Sequence, residues 1–125
     1  MSQPAETRPS DIYDLPDVIT AAVRRQNEDH DPAHEDFYAW GYVLSELTAR
    51  VQDAARILGQ QVAHYGDRRI LRDDTGADPA VRLTEAAQLL ENVHAAAGVA
   101  NQAARLYHSA IGHIGVEVDP GAVSE

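Results

Sequence analysis

The chain has 125 residues, a formal net charge of −10 and no cysteine. The length fits one domain, the charge excludes nucleic acid as a partner, and the missing cysteine excludes disulfides, thiolate chemistry and cysteine-bound metal. The basic residues are all arginine and alanine is abundant, the composition of a high-GC bacterial genome. No apolar run approaches the roughly 20 residues that a membrane span needs. Met1–Ser10 is polar and lacks the apolar core of a signal peptide. The sequence therefore predicts a soluble, cytoplasmic protein with no membrane partner.

Charge is unevenly spread. Residues 1–36 hold nine acids against three arginines, and the end of the chain adds Glu117, Asp119 and Glu125. Residues 1–11 have little to bury and predict a disordered tail. Asp14-Leu15-Pro16-Asp17 reads as a helix start, with proline in the first turn and acids at the positive end of the dipole. A short helix over about 14–26 follows, with Leu15, Val18, Ile19, Ala22 and Val23 on one side. It is too short to stand alone in water and needs something to dock on.

Two long helices come next, each introduced by Asp-Pro-Ala. The first is predicted over about 32–65, with Asp31 as cap, Pro32 at the first helical position and Gly66 as stop. Its heptad stripe is Phe37, Trp40, Leu44, Leu47, Val51, Ala54, Leu58 and Tyr65. The polar connection contains a turn at Asp74-Thr75-Gly76. The second long helix is predicted over about 79–114, capped by Asp78. Its stripe is Leu83, Ala86, Leu90, Val93, Ala97, Ala100, Ala104, Tyr107, Ile111 and Ile114. Steps of three and four hold each stripe on one face. The fold class is all-α, an antiparallel helical hairpin of two long helices preceded by a short one. The helical domain spans 12–115, and 116–125 forms an acidic C-terminal tail.

Each long helix carries more apolar surface than one partner helix covers. Val43, Ile57 and Tyr42 lie outside the first stripe; Leu89, Val99 and Leu106 lie outside the second. A homodimer completing a four-helix bundle buries that surface, with Trp40, Leu44, Val99 and Leu106 as interface residues.

Several clusters carry chemistry. Glu91-Asn92-Val93-His94 has the Glu-x-x-His spacing that di-metal bundles use. Both residues fall outside the apolar stripe, however, and the plainer reading is a solvated face continued by Asn101, Arg105 and His108. His30 and His34 are four apart among acids, but Pro32 between them breaks the helical spacing that a metal pair needs. Arg68, Arg69 and Arg72 flank Ile70 and Leu71 at the hairpin tip. They form a docking point for an acidic partner, or else they pair with Asp67, Asp73 and Asp74 while Ile70 and Leu71 cap the bundle end. No nucleophile motif, phosphate loop or Glu-x-x-Glu pair occurs, and no cofactor is called for.

In topology and length the chain resembles the helical-hairpin secretion substrates that carry Trp-x-Gly in their turn. Here Trp40 is followed directly by Gly41 and sits early in the first long helix, so the resemblance stops at topology and length. The leading expectation is a non-enzymatic protein–protein interaction module, an adaptor, regulator or assembly component, acting as a homodimer or on another helical protein. The alternatives are a metal-binding bundle using Glu91 and His94, and a secreted or phage-encoded hairpin protein.

Overall fold

The computed structural model describes residues 9–117. Four α-helices run in chain order: α1 Pro9–Tyr13, α2 Leu15–Glu28, α3 His34–Ala63 and α4 Pro79–Gly112. A 3-10 turn, Tyr65–Arg68, follows α3. The described residues contain no strand. No described helix is long and apolar enough to cross a membrane.

The chain divides into two compact units between Ala33 and His34. That division falls inside the range 12–115 read from sequence as one helical domain. In the first unit, α2 has proline in its first turn and Asp17 near its positive end. It runs two residues further than predicted. Leu15, Val18, Ile19 and Val23 are exposed, and α1, five residues long, is the other helix of this unit. Residues 1–8 and 118–125, which hold most of the two expected tails, lie outside the described residues.

The second unit is the hairpin. Four cross-helix hydrogen bonds fix its direction. The His34 ring Nε2 donates to the Ile111 carbonyl at 2.8 Å, and the Tyr107 hydroxyl donates to the Phe37 carbonyl at 2.9 Å. The Asn101 amide donates to the Ser45 carbonyl at 2.8 Å, and the His94 ring Nδ1 donates to the Gln52 carbonyl at 3.0 Å. Partners fall along α4 as they rise along α3, so the helices are antiparallel.

The predicted start of α4 holds: the Asp78 carboxylate accepts from the Ala80 N–H at 3.0 Å, and Pro79 opens the helix. The start of α3 differs. Asp31 does not cap it; the Asp31 N–H donates to the Asp29 side chain at 3.0 Å. That local turn competes with helix, and regular α3 begins at His34. In the connection, the Gly76 N–H closes a turn on the Asp73 carbonyl at 3.1 Å. Gly76 has φ +86°, a conformation that glycine adopts without steric cost.

Candidate functional site

The hairpin seam departs from the predicted stripe on α3, while on α4 it keeps Leu83, Leu90, Ala97, Ala104 and Ile111 of the predicted stripe. On α3 it follows Gly41, Ser45, Thr48, Gln52, Ala55, Gly59 and Val62, one position beyond most of the stripe. On α4 it follows Leu83, Ala87, Leu90, His94, Ala97, Asn101, Ala104, His108 and Ile111. Steps of three and four set these positions along one side of each helix. Most of the positions are occupied by small and polar residues, with Val62, Leu83, Leu90 and Ile111 toward the ends. Among the described residues, the buried ones are Gly41, Ala55, Ala97 and Ala104.

Small side chains let the backbones approach. A Cβ on Gly41 would lie 2.7 Å from the His108 ring and 3.0 Å from its Cα. Polar side chains then satisfy one another across the gap. Asn101 donates to the Ser45 carbonyl and, at 3.0 Å, to the Thr48 hydroxyl. The Thr48 hydroxyl itself donates back to the Leu44 carbonyl at 2.7 Å. The exception is His108 Nε2, which is buried without a hydrogen-bond partner.

The reading of Glu91, His94, Asn101 and His108 as one solvated stripe is corrected here. Glu91 is exposed, but His94, Asn101 and His108 are half-buried on the seam. Because a carbonyl can only accept, His94 carries its proton on Nδ1 in the bond to Gln52. Among the described residues, no group of three or more histidines and carboxylates is placed to hold a metal. His34 is engaged with Ile111 at the open end of the hairpin, and His30 lies in a bend outside the helices.

The seam divides the hairpin into two unlike faces. On one, Tyr38 lies against the His108 ring at 4.3 Å between centroids. The groove beside them, about 590 Å³, is lined by Glu46, Ser45, Asn101 and Arg105. The same face continues toward the turn through Arg56, Gln60, Gln88 and Glu91. The opposite face holds most of the predicted α3 stripe and, from the α4 stripe, Ala86, Val93, Ala100 and Tyr107. Tyr107 reaches the backbone of Phe37 there, and helical spacing sets Leu44, Val51 and Leu58 in line with Phe37, and Val93 in line with Tyr107. These six side chains remain 37–48% exposed. Trp40 and Leu47 on the same stripe are half-buried.

Of the residues predicted to form an interface, Leu44 lies on this apolar face, with Trp40 beside it. Val99 and Leu106 point elsewhere. They sit further round α4, away from α3, and are 72% and 64% exposed.

The tip also differs from its plainer reading. Asp67 takes the His64 ring as partner at 3.1 Å. Asp73 takes Arg82 of α4 at 2.7 Å, and its carboxylate also accepts from the Thr75 N–H and hydroxyl. The hydrogen bond from Arg82 and those from Thr75 hold the Asp73 carboxyl well below the usual carboxylate range. These acids therefore do not neutralise Arg68, Arg69 and Arg72. Ile70 caps nothing and is fully exposed, while Leu71 is half-buried. Arg69 stacks on the Tyr65 ring at 4.4 Å and donates to the Tyr65 carbonyl at 3.2 Å.

Sequence reasoning missed the α3 side of the seam. The signal was present in the heptad spacing of Gly41, Thr48, Ala55 and Val62, interleaved with Ser45, Gln52 and Gly59. No family model, curated protein or solved structure matches the chain.

Proposed function

We propose that the chain is a non-enzymatic helical interaction module that pairs with a second copy of itself through the apolar face of its hairpin. Two hairpins stacked on that face complete a four-helix bundle, and the dimer serves as an adaptor, regulator or assembly component.

The observation that carries this reading is the continuous apolar face opposite a polar one. Completing the burial of each half-exposed side chain stabilises by about 1 kcal/mol, so six per copy contribute about 12 kcal/mol to a dimer. That is of the same order as the about 4–15 kcal/mol that association costs. A second copy is the natural occupant because a two-fold axis requires only one self-complementary patch. Small side chains at Ala54, Ala86 and Ala100 beside the larger ones give the facing surfaces room to interdigitate.

Light scattering on a sizing column across a dilution series tests the reading. A mass of two chains that persists to micromolar concentration supports it. A monomer at every concentration sinks it, and so does turnover of a substrate mapped to side chains of the bundle.

A further inference from the structure

We infer that α2 is a second contact between copies of this chain, in which two α2 helices pair antiparallel. This contact is separate from the hairpin face and does not depend on it. Leu15, Val18, Ile19 and Val23 of α2 are exposed, and Ala22 among them is half-buried. Steps of three and four put all five on one stripe. A helix of 14 residues is marginal by itself and is stabilised when its apolar stripe is covered.

Charge decides what covers it. Asp14 has helical dihedrals, yet its side chain makes no cap hydrogen bond. Arg25 makes no ion pair among the described residues. The two stand eleven positions apart, about three full turns, so both lie along the same edge of the stripe, the edge that Val18 borders. The helix dipole favours an acid at the start and an arginine at the end, but it does not require them beside the apolar residues.

When two copies pair antiparallel, residues on the same edge face each other. Asp14 then meets the partner's Arg25, and Arg25 meets the partner's Asp14. The two-fold axis passes between Ile19 and Thr20, which brings Ile19 close to the partner's Ile19 at the centre. A parallel pair would set aspartate against aspartate and arginine against arginine. Asp17 and Arg24 lie on the far side of the helix and stay in water. A membrane surface is a poorer occupant, because helices that lie on lipid carry a basic polar face, and residues 14–28 hold three acids against two arginines.

Four larger apolar side chains per copy make a small contact, so the Kd should be on the order of 100 µM. The test uses the full chain carrying Val51→Glu and Val93→Glu, which put charge on the hairpin face and leave α2 unchanged. Sedimentation equilibrium should show single chains at about 10 µM and dimers at about 1 mM. Adding Asp14→Arg or Arg25→Asp alone should weaken association about tenfold. An equal mixture of those two variants should restore it, because each arginine again faces an aspartate. Val18→Glu with Ile19→Glu should abolish it. The chain has no cysteine, so disulfides give a second readout: oxidising an equal mixture of Asp14→Cys and Arg25→Cys chains should yield the mixed dimer in excess over either homodimer. If circular dichroism shows that the charge variants lose helix, the disulfide distribution decides. No association at about 1 mM, a helical mixture that binds no better than its parts, or disulfides distributed at random overturns the inference. The mass of the wild-type chain at micromolar concentration reads the hairpin face and the association of this variant reads α2, so either pairing can fail alone.

Discussion

Two glycine substitutions on the same helix should move stability in opposite directions. Gly41 and Gly59 both lie within α3, so alanine at either gains about 1 kcal/mol of helix propensity. Their surroundings then decide the sign. At Gly59 the new Cβ would meet Leu90 Cβ at 3.8 Å, an ordinary van der Waals contact. Gly59→Ala should therefore stabilise by about 1 kcal/mol. At Gly41 the new Cβ would lie 2.7 and 2.9 Å from His108 side-chain carbons and 3.0 Å from its Cα. Backbone cannot swing aside, so the helices must separate locally by about 0.5–1 Å, which forfeits a quarter to a half of the dispersion attraction along that stretch. Overpacking of this kind costs about 1–3 kcal/mol. The cross-helix bonds from Asn101 and Tyr107 stretch with it, at about 0.5–1.5 kcal/mol for each bond lost. Gly41→Ala should end about 1–3 kcal/mol less stable than the wild type. Urea unfolding followed by circular dichroism, at one matched chain concentration because folding and association are linked, reads both variants. If Gly41→Ala proves as stable as Gly59→Ala, the helices do not approach at Gly41 and the seam has been misassigned.

Other substitutions separate the seam from the face and from the turn. Val51→Glu combined with Val93→Glu places charge on the apolar face of both helices, and light scattering should show a monomer that keeps its helical circular dichroism. Asn101→Ala removes bonds to the Ser45 carbonyl and the Thr48 hydroxyl and should cost about 1–3 kcal/mol in urea unfolding; a neutral result would mean that water replaces the amide. Because the Asp73 carboxyl titrates below its usual range, its stabilising contribution is present above about pH 4 and is lost as the pH falls below that value. Asp73→Asn should flatten that acid limb of the stability profile, and an unchanged slope would remove the Arg82 pair from the account.

The helices were legible in the sequence because capping chemistry is local. Asp78 and Pro79 act within one turn, and nothing distant competes with them. The start of α3 was not, because the equally local Asp29 side chain takes the Asp31 N–H into a turn that excludes helix. The apolar stripes were legible as faces but not as partners. Hydropathy ranks Gly41, Ser45, Thr48 and Gln52 low, yet close helix approach favours small side chains that a strong hydrophobic signal cannot mark. The polar members compound the difficulty. In sequence, His94 and Asn101 look solvent-facing, and only the carbonyls of Gln52 and Ser45 on the other helix make their burial tolerable. The tip misled in the same way, since Arg82, nine positions from Asp73, takes one of the partners that the tip arginines were expected to share.

The division of labour between seam and face has a thermodynamic consequence. The middle of the seam, made of glycine, alanine and hydrogen-bonded polar side chains, buries little apolar surface, and the larger seam residues Val62, Leu83, Leu90 and Ile111 are only half-buried, so the seam contributes modestly to the free energy of folding. What it supplies is register: sliding α4 by one residue against α3 would strand the Asn101 and His94 donors and drive His108 away from Gly41. The larger apolar side chains lie on the face and reach full burial only when it is covered. Under the proposed pairing, the alignment is set within one chain and much of the stability by association, so the unfolding midpoint should rise with chain concentration. A concentration-independent midpoint over a hundredfold range would place the stability in the seam after all, and the exposed face would then have to be explained by a partner other than a second copy.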